Sequence, residues 1–334
     1  MTKFLYPILI SFLFISCNSN KKSLLKIEGN AQGTTYHISY VSNDGINYKT
    51  AIDSLLKEID KSMSTWLPSS IISKINNNDK NVIVDPYFID VFNKSIEVSK
   101  KTDGLFDVTV GPLVNSWGFG TTKKASMDGK KIDSLLQFVG YKMVKLQGNK
   151  IAKAKPEVKL DFNAIAQGYS VDVLGNYLES KGIFNYLVEV GGELKAKGKK
   201  ENENWKVGID KPDEKASSER KLEAVINLKD KALATSGNYR KFYEEGGQKF
   251  SHIINPKTGY PAKQNLLSTT VIANDCITAD AYATVFMVMG LKKSIQFLQD
   301  NKDLQLEVYF VYDDHGIWKT YTSESLKKWI KELP

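Results

Sequence analysis

Of 334 residues only two are cysteines, and the first of them, Cys17, closes an apolar N-terminal run. With that thiol set apart only Cys276 remains, so the chain has no internal disulfide and must cohere through buried apolar surface. About 310 residues follow the N-terminal segment, more than one core usually organises. Two lobes are therefore expected, with ligands bound in the cleft between them.

The N-terminus sets the compartment. Lys3 precedes an apolar stretch from Phe4 to Ile15, broken only by Pro7 and Ser11. The stretch is too short to span a bilayer and reads as a signal peptide over 1–16. The Phe14-Ile15-Ser16-Cys17 junction resembles a lipobox, in which Cys17 becomes an acylated N-terminus that holds the chain at a membrane. Residues 17–23 then form a polar tether, and 24–334 the functional domain. An ordinary secretory signal with an incidental cysteine is the alternative. The formal charge of +8 becomes +7 once Lys3 is lost, because residues 1–16 carry no acid. Such an excess suits anionic headgroups or a phosphorylated ligand. The lysines are scattered, with no arginine-rich or aromatic stacking motif, so no nucleic-acid partner is expected.

Periodicity predicts a strand over Ala31 to Val41 and a helix over Thr50 to Met63 carrying Ile52, Leu55, Leu56 and Ile59. A second helix over Pro86 to Lys101 ends in a Thr102-Asp103-Gly104 turn. A helix follows Gly168, and strands follow at Tyr186 to Val190, Trp205 to Ile209, Leu222 to Leu228 and Leu267 to Ile272. The last long helix is expected from Thr278 to Met289, closed by Gly290. Residues 199–204, 211–220 and 246–249 read as surface turns. Strands and helices mix without strict alternation, which favours α+β over a doubly wound sheet.

Chemistry concentrates in three places. Asp280 and Thr284 stand four residues apart on one helical face, a carboxylate and a hydroxyl suited to Mg²⁺, which keeps positions open for phosphate oxygens. An acid near the start of a helix also has a plain dipole role. The segment from Asp161 to Gly168 precedes a helix and can bring backbone groups to a ligand, or be only a tight turn. His252 precedes a Pro/Gly-rich loop ending at Pro261, where an imidazole either accepts a proton or is a satisfied loop side chain. His37 and His315 read as structural. No Walker loop, dinucleotide fingerprint or G-x-S-x-G elbow occurs, and Cys276 is not placed as a nucleophile. The residues alone stop at a hypothesis, an exported α+β protein that would bind Mg²⁺ and a phosphorylated ligand.

Nine ordered blocks together resemble the ApbE family of FAD:protein FMN transferases. They are Gly33 to Tyr36, Met63 to Trp66, Thr102 to Leu113, Trp117 to Gly120, Asp161 to Asp172, Val190 to Glu193, Ala234 to Tyr239, His252 to Pro261 and Ala279 to Thr284. The resemblance covers nearly all of the chain after the tether. It implies a T-fold-like α+β architecture with FAD in the cleft between lobes and Mg²⁺ at its pyrophosphate. It makes Asp280, Thr284 and the Ala164 carbonyl the metal ligands. It assigns FAD contacts to Gln32, Trp66, Leu105, Phe106, Asp107, Asp161, Gln167, His252 and Ile254. Departures from the family pattern are Gln32 in place of methionine, Trp66 in place of tyrosine, and Gln167 in place of lysine or glutamate.

The implied reaction passes FMN from FAD to a threonine or serine hydroxyl of an exported redox-complex subunit or domain, releasing AMP, with His252 as base. A lipid anchor facing the periplasm, at the inner membrane, fits such partners. The alternatives are a Mg²⁺-dependent FAD pyrophosphatase and a non-catalytic flavin-binding lipoprotein.

Overall fold

A computed structural model describes residues 22–211, 221–237, 242–245 and 248–333, the strands at 242–245 and 248–251 by their backbone. Cys17 lies outside the described residues, as do Asn238 and Tyr239 and most of the 211–220 turn.

The chain opens with a hairpin, β1 (Ser23–Ala31) and β2 (Thr34–Ser42), so the first strand already uses the last tether residue. Helix α1 (Lys49–Met63) buries Ile52, Leu56, Ile59 and Met63, a stripe at helical spacing. The short α2 (Ile71–Asn76) follows, capped by Ser70. Helix α3 (Pro86–Lys101) starts where Asp85 accepts from the Phe88 N–H and Pro86 fills the first turn. Next come α4 (Gly111–Ser116), α5 (Gly129–Leu136), and the small hairpin β3 (Val144–Gln147) with β4 (Lys150–Lys153). Helix α6 (Ala166–Ser180) leads into β5 (Tyr186–Val190) and β6 (Glu193–Lys197). Strands β7 (Trp205–Asp210), β8 (Leu222–Leu228) and β9 (Lys231–Gly237) precede the hairpin β10 (Phe242–Glu245) and β11 (Gln248–Ser251). The chain ends with β12 (Leu266–Ala273), α7 (Cys276–Met289), α8 (Leu291–Asp300), β13 (Glu307–Asp314), β14 (Ile317–Thr322) and β15 (Ile330–Glu332).

An eight-stranded antiparallel sheet, ordered β1-β2-β5-β6-β9-β12-β13-β14, forms the middle layer. Its central strands feed two cores alternately, as period-two geometry requires. Val271, Ala273, Val308 and Phe310 pack with the helices, while Ile272, Tyr309 and Val311 pack with the small sheet β15-β8-β7 on the other face. Helices α6 and α7 lie on the helical face, and α1 and α3 extend that layer. The helical lobe is joined to the sheet by shared core: Ile59, Phe88 and Phe106 belong to the same buried cluster as Phe286 and Phe310. The architecture is α+β, as expected. Helix α7 begins at Cys276 rather than Thr278, and α8 follows it directly.

Candidate functional site

Because α7 begins at Cys276, its N-cap is Asp275, whose Oδ1 accepts the Thr278 N–H at 2.9 Å. The dipole role open to Asp280 belongs instead to Asp275, and Asp280 lies beyond the first turn of a strongly apolar helix. Asp280 is only 8% exposed, and its Oδ2 accepts the Gly168 N–H of α6 at 2.9 Å. Its other oxygen takes no hydrogen bond among the described residues. Burial pushes the ionisation of Asp280 up to about 7, against the pull of the Gly168 N–H.

Gly168 permits this contact. A Cβ there would stand 2.4 Å from the Cys276 carbonyl oxygen and 2.7 Å from the Asp280 Cβ, so no larger residue lets the two helices approach. A reciprocal contact, missed in the sequence, locks them. Asp172 of α6 accepts the N–H groups of Cys276 and Ile277 at 2.8 and 2.9 Å and takes Lys195 Nζ on its other oxygen at 3.0 Å. Burial raises the ionisation of Asp172, opposed by Lys195 and the two N–H groups. The signal for Asp172 was an acid set between Val171 and Val173 on an apolar helix.

Thr284 is half-buried one turn beyond Asp280 on the same face. Ala164 sits in the turn before α6. Asp161 shapes that turn by accepting the Asn163 N–H at 2.8 Å, and its own N–H reaches the Val108 carbonyl at 2.8 Å. Burial pushes the Asp161 carboxyl above its ordinary range. A carboxylate oxygen, a hydroxyl and a carbonyl are all hard donors, and among the described residues no group of three or more His, Cys, Asp or Glu side chains gathers for a softer metal. The donor set fits Mg²⁺.

Two turns close over the start of α6. Gln32, at φ 54° in the β1–β2 turn, donates from Nε2 to Ser170 Oγ at 2.6 Å. Its Oε1 is buried without a hydrogen-bond partner among the described residues, an acceptor that a ligand donor would satisfy. Gly191, at φ 69° in the β5–β6 turn, lies on Gln167: a Cβ there would meet Gln167 Nε2 at 2.7 Å. Gln32, through Ser170, and Gly191, against Gln167, thus both touch α6 beside the Gly168 contact with Asp280.

A second set of loops carries the remaining candidates. His252 is half-buried, with its ring edge-on to Phe119 at 6.3 Å, and Ile253 and Ile254 after it are buried. The loop beyond is closed by Asn255 N–H to Tyr260 O and Gly259 N–H to Asn255 O, both at 2.9 Å, and by Trp117 Nε1 to Gly259 O at 2.8 Å. An ion pair between Lys257 and Asp103 ties it to the 102–109 loop. There Phe106 is buried and Leu105 half-buried. The Asp107 carboxylate is engaged by its surroundings: Oδ1 accepts the Thr109 N–H at 2.8 Å and hydroxyl at 2.6 Å, and Oδ2 the Tyr141 N–H at 2.6 Å. Asp107 therefore shapes the loop with its side chain. Trp66 is 64% exposed after α1, an indole presented to solvent.

His37 pairs across strands with Glu189 at 2.7 Å, and His315 sits in the β13–β14 turn, both structural positions. Cys276 is buried against the Leu194 and Leu233 carbonyls, and burial pushes its thiol well up, away from nucleophilic use. A groove of about 1160 Å³ lined by Phe92, Lys100, Tyr141, Tyr282 and Leu304 contains none of the candidate residues.

Comparison with known proteins places this geometry. The family model described as the ApbE family matches residues 32–310. A FAD:protein FMN transferase of Vibrio cholerae is 34% identical over 333 residues, covering 97% of this chain and 98% of the relative. One from Haemophilus influenzae is 35% identical, covering 94% and 93%. The solved flavin transferase ApbE of Vibrio cholerae superposes with a TM-score of 0.81 at 34% identity, covering 92% of this chain and 99% of that one. The flavinyl transferase ApbE of Pseudomonas stutzeri gives 0.82 at 28% identity, covering 92% and 97%.

Proposed function

The chain belongs to the ApbE family, and from that membership we propose that it transfers FMN from FAD to a threonine or serine hydroxyl of an exported protein, releasing AMP. The observation that carries the chemical part is Asp280: a buried carboxylate with one oxygen fixed by Gly168 and the other uncommitted, beside the turn that carries Ala164.

Asp280, Thr284 and the Ala164 carbonyl would hold Mg²⁺, which when bound supplies positive charge beside the FAD pyrophosphate. The protein's share is placement. Gly168 fixes the carboxylate, the Asp161 turn carries Ala164, and the Gln32 and Gly191 turns wall the start of α6. In the transfer an acceptor oxygen bonds to the FMN phosphorus, the bond from that phosphorus to the AMP oxygen breaks, and the hydroxyl proton passes to the His252 imidazole. The acceptor is a subunit or domain of an exported redox complex, and acylated Cys17 holds the enzyme at the periplasmic face of the inner membrane.

Purified chain, FAD, Mg²⁺ and a candidate acceptor domain test this. An FMN-sized mass increase on the acceptor, with AMP released, supports the reading. Free FMN with unmodified acceptor shows a pyrophosphatase, and intact FAD shows a flavin carrier; either result overturns the transferase assignment.

A further inference from the structure

Strand register gives the large sheet two distinct ends. Ser23 pairs with Ser42, Tyr40 with Tyr186, Tyr186 with Lys197 and Ala196 with Lys231. The start of β1, the 43–48 turn, residues 181–185 and the turns at 198–204 and 229–230 therefore share one end. The Gln32 and Gly191 turns, with the Gly168 contact to Asp280, lie at the other.

At the first end Lys22, Lys181, Lys199, Lys200 and Lys229 are exposed and form no ion pair among the described residues. Most acids there are engaged. Asp44 accepts the Ile46 N–H at 3.0 Å and Asp230 the Gly198 N–H at 2.8 Å. Glu203 pairs with Lys206 at 2.8 Å, which leaves the exposed Glu201. Two large apolar side chains stand out among the lysines, Ile46 at 48% and Phe184 at 53% exposure. Lysines without an ion pair around exposed apolar side chains are the composition of a surface that settles on anionic headgroups.

Chain length excludes the upright, inverted orientation. Cys17 precedes Ser23 by six residues, a reach of about 20 Å when fully extended. The nine residues of β1 span about 27 Å. A chain acylated at Cys17 cannot lay the Gln32 end on the bilayer while Ser23 points away, because the tether is shorter than the strand.

We propose that the sheet end bearing Ile46, Phe184 and the five lysines docks on anionic phospholipid, so that the flavin-transfer site faces away from the membrane. The inference rests on acylation of Cys17 and is independent of the flavin chemistry. It requires acceptor hydroxyls to stand on a domain about 27 Å clear of the bilayer, the length of β1.

The full acylated chain, reconstituted in phosphatidylcholine vesicles with or without phosphatidylglycerol, tests it. Cys276 is buried, so a single fluorophore can be placed at Phe184→Cys or, at the far end of the sheet, at Ile317→Cys. A lipid-borne quencher is expected to quench the label at 184 several-fold more than that at 317, and more so with phosphatidylglycerol. Exchanging Lys199, Lys200 and Lys229 for glutamate should erase the phosphatidylglycerol effect. Equal quenching at both positions, or stronger quenching at 317, overturns the orientation. Protection of 184 by added acceptor protein but not by lipid overturns it in favour of an acidic protein partner. Absence of acyl mass on Cys17 overturns both the anchor and this inference while leaving FMN transfer to be judged by its own assay.

Discussion

A carboxyl placed in an apolar helix resists ionisation, and in Asp280 that resistance has a measurable pH signature. Its folded-state value of about 7 lies above the ordinary 3.8, so between those limits the folded chain holds a proton that the unfolded chain has released. Its contribution to stability is therefore full at low pH and is drawn down as pH rises to about 7. In metal-free protein, Asp280→Asn should gain stability relative to wild type as pH is raised through that window, followed by urea midpoints at each pH. A constant difference would show that Asp280 does not titrate there. The same substitution should remove FMN transfer while leaving far-ultraviolet circular dichroism intact, and retained activity would remove Asp280 from the metal site. The placing of Asp280 and Thr284 one helical turn apart is legible because a four-residue spacing is local. The engagement of Asp107 is not, because its partner Tyr141 lies 34 residues away.

Among elements, the junction of α6 and α7 matters most, since each helix donates backbone N–H groups to an aspartate of the other. Asp172→Ala strands two helix N–H groups and the Lys195 ammonium, and should cost about 3–5 kcal/mol in chemical denaturation. Lys195→Met should cost less, because both N–H bonds persist. Equal losses would mean that the ion pair, not the helix contact, dominates. Long elements with clear periodicity, such as α1, α3 and β8, were readable from sequence to within a residue or two. Strands β6 and β9 were not: Glu-Leu-Lys-Ala-Lys and Lys-Ala-Leu-Ala-Thr-Ser-Gly carry few residues that favour strands, and their place comes from burial between layers. Helix α7 starts two residues before the Thr278 that periodicity predicts, because Asp275 caps it by accepting the Thr278 N–H.

For the whole molecule, the proposed anchor at Cys17 and the proposed transfer site lie in separate parts of the sequence. Cys17→Ser should move the chain from membrane to soluble fractions, read by fractionation and blotting, while FMN transfer to a soluble acceptor domain continues. Retention in the membrane fraction would mean that something other than the acyl group holds it. The central sheet sets a limit of another kind. Because β12 and β13 send alternate side chains into two different interiors, inserting or deleting one residue within either would exchange their linings and spoil both layers at once. A change of length is therefore best absorbed in a turn such as 198–204, or at an irregularity like that between Leu266 and Ser268 of β12, where no run of alternating side chains is inverted.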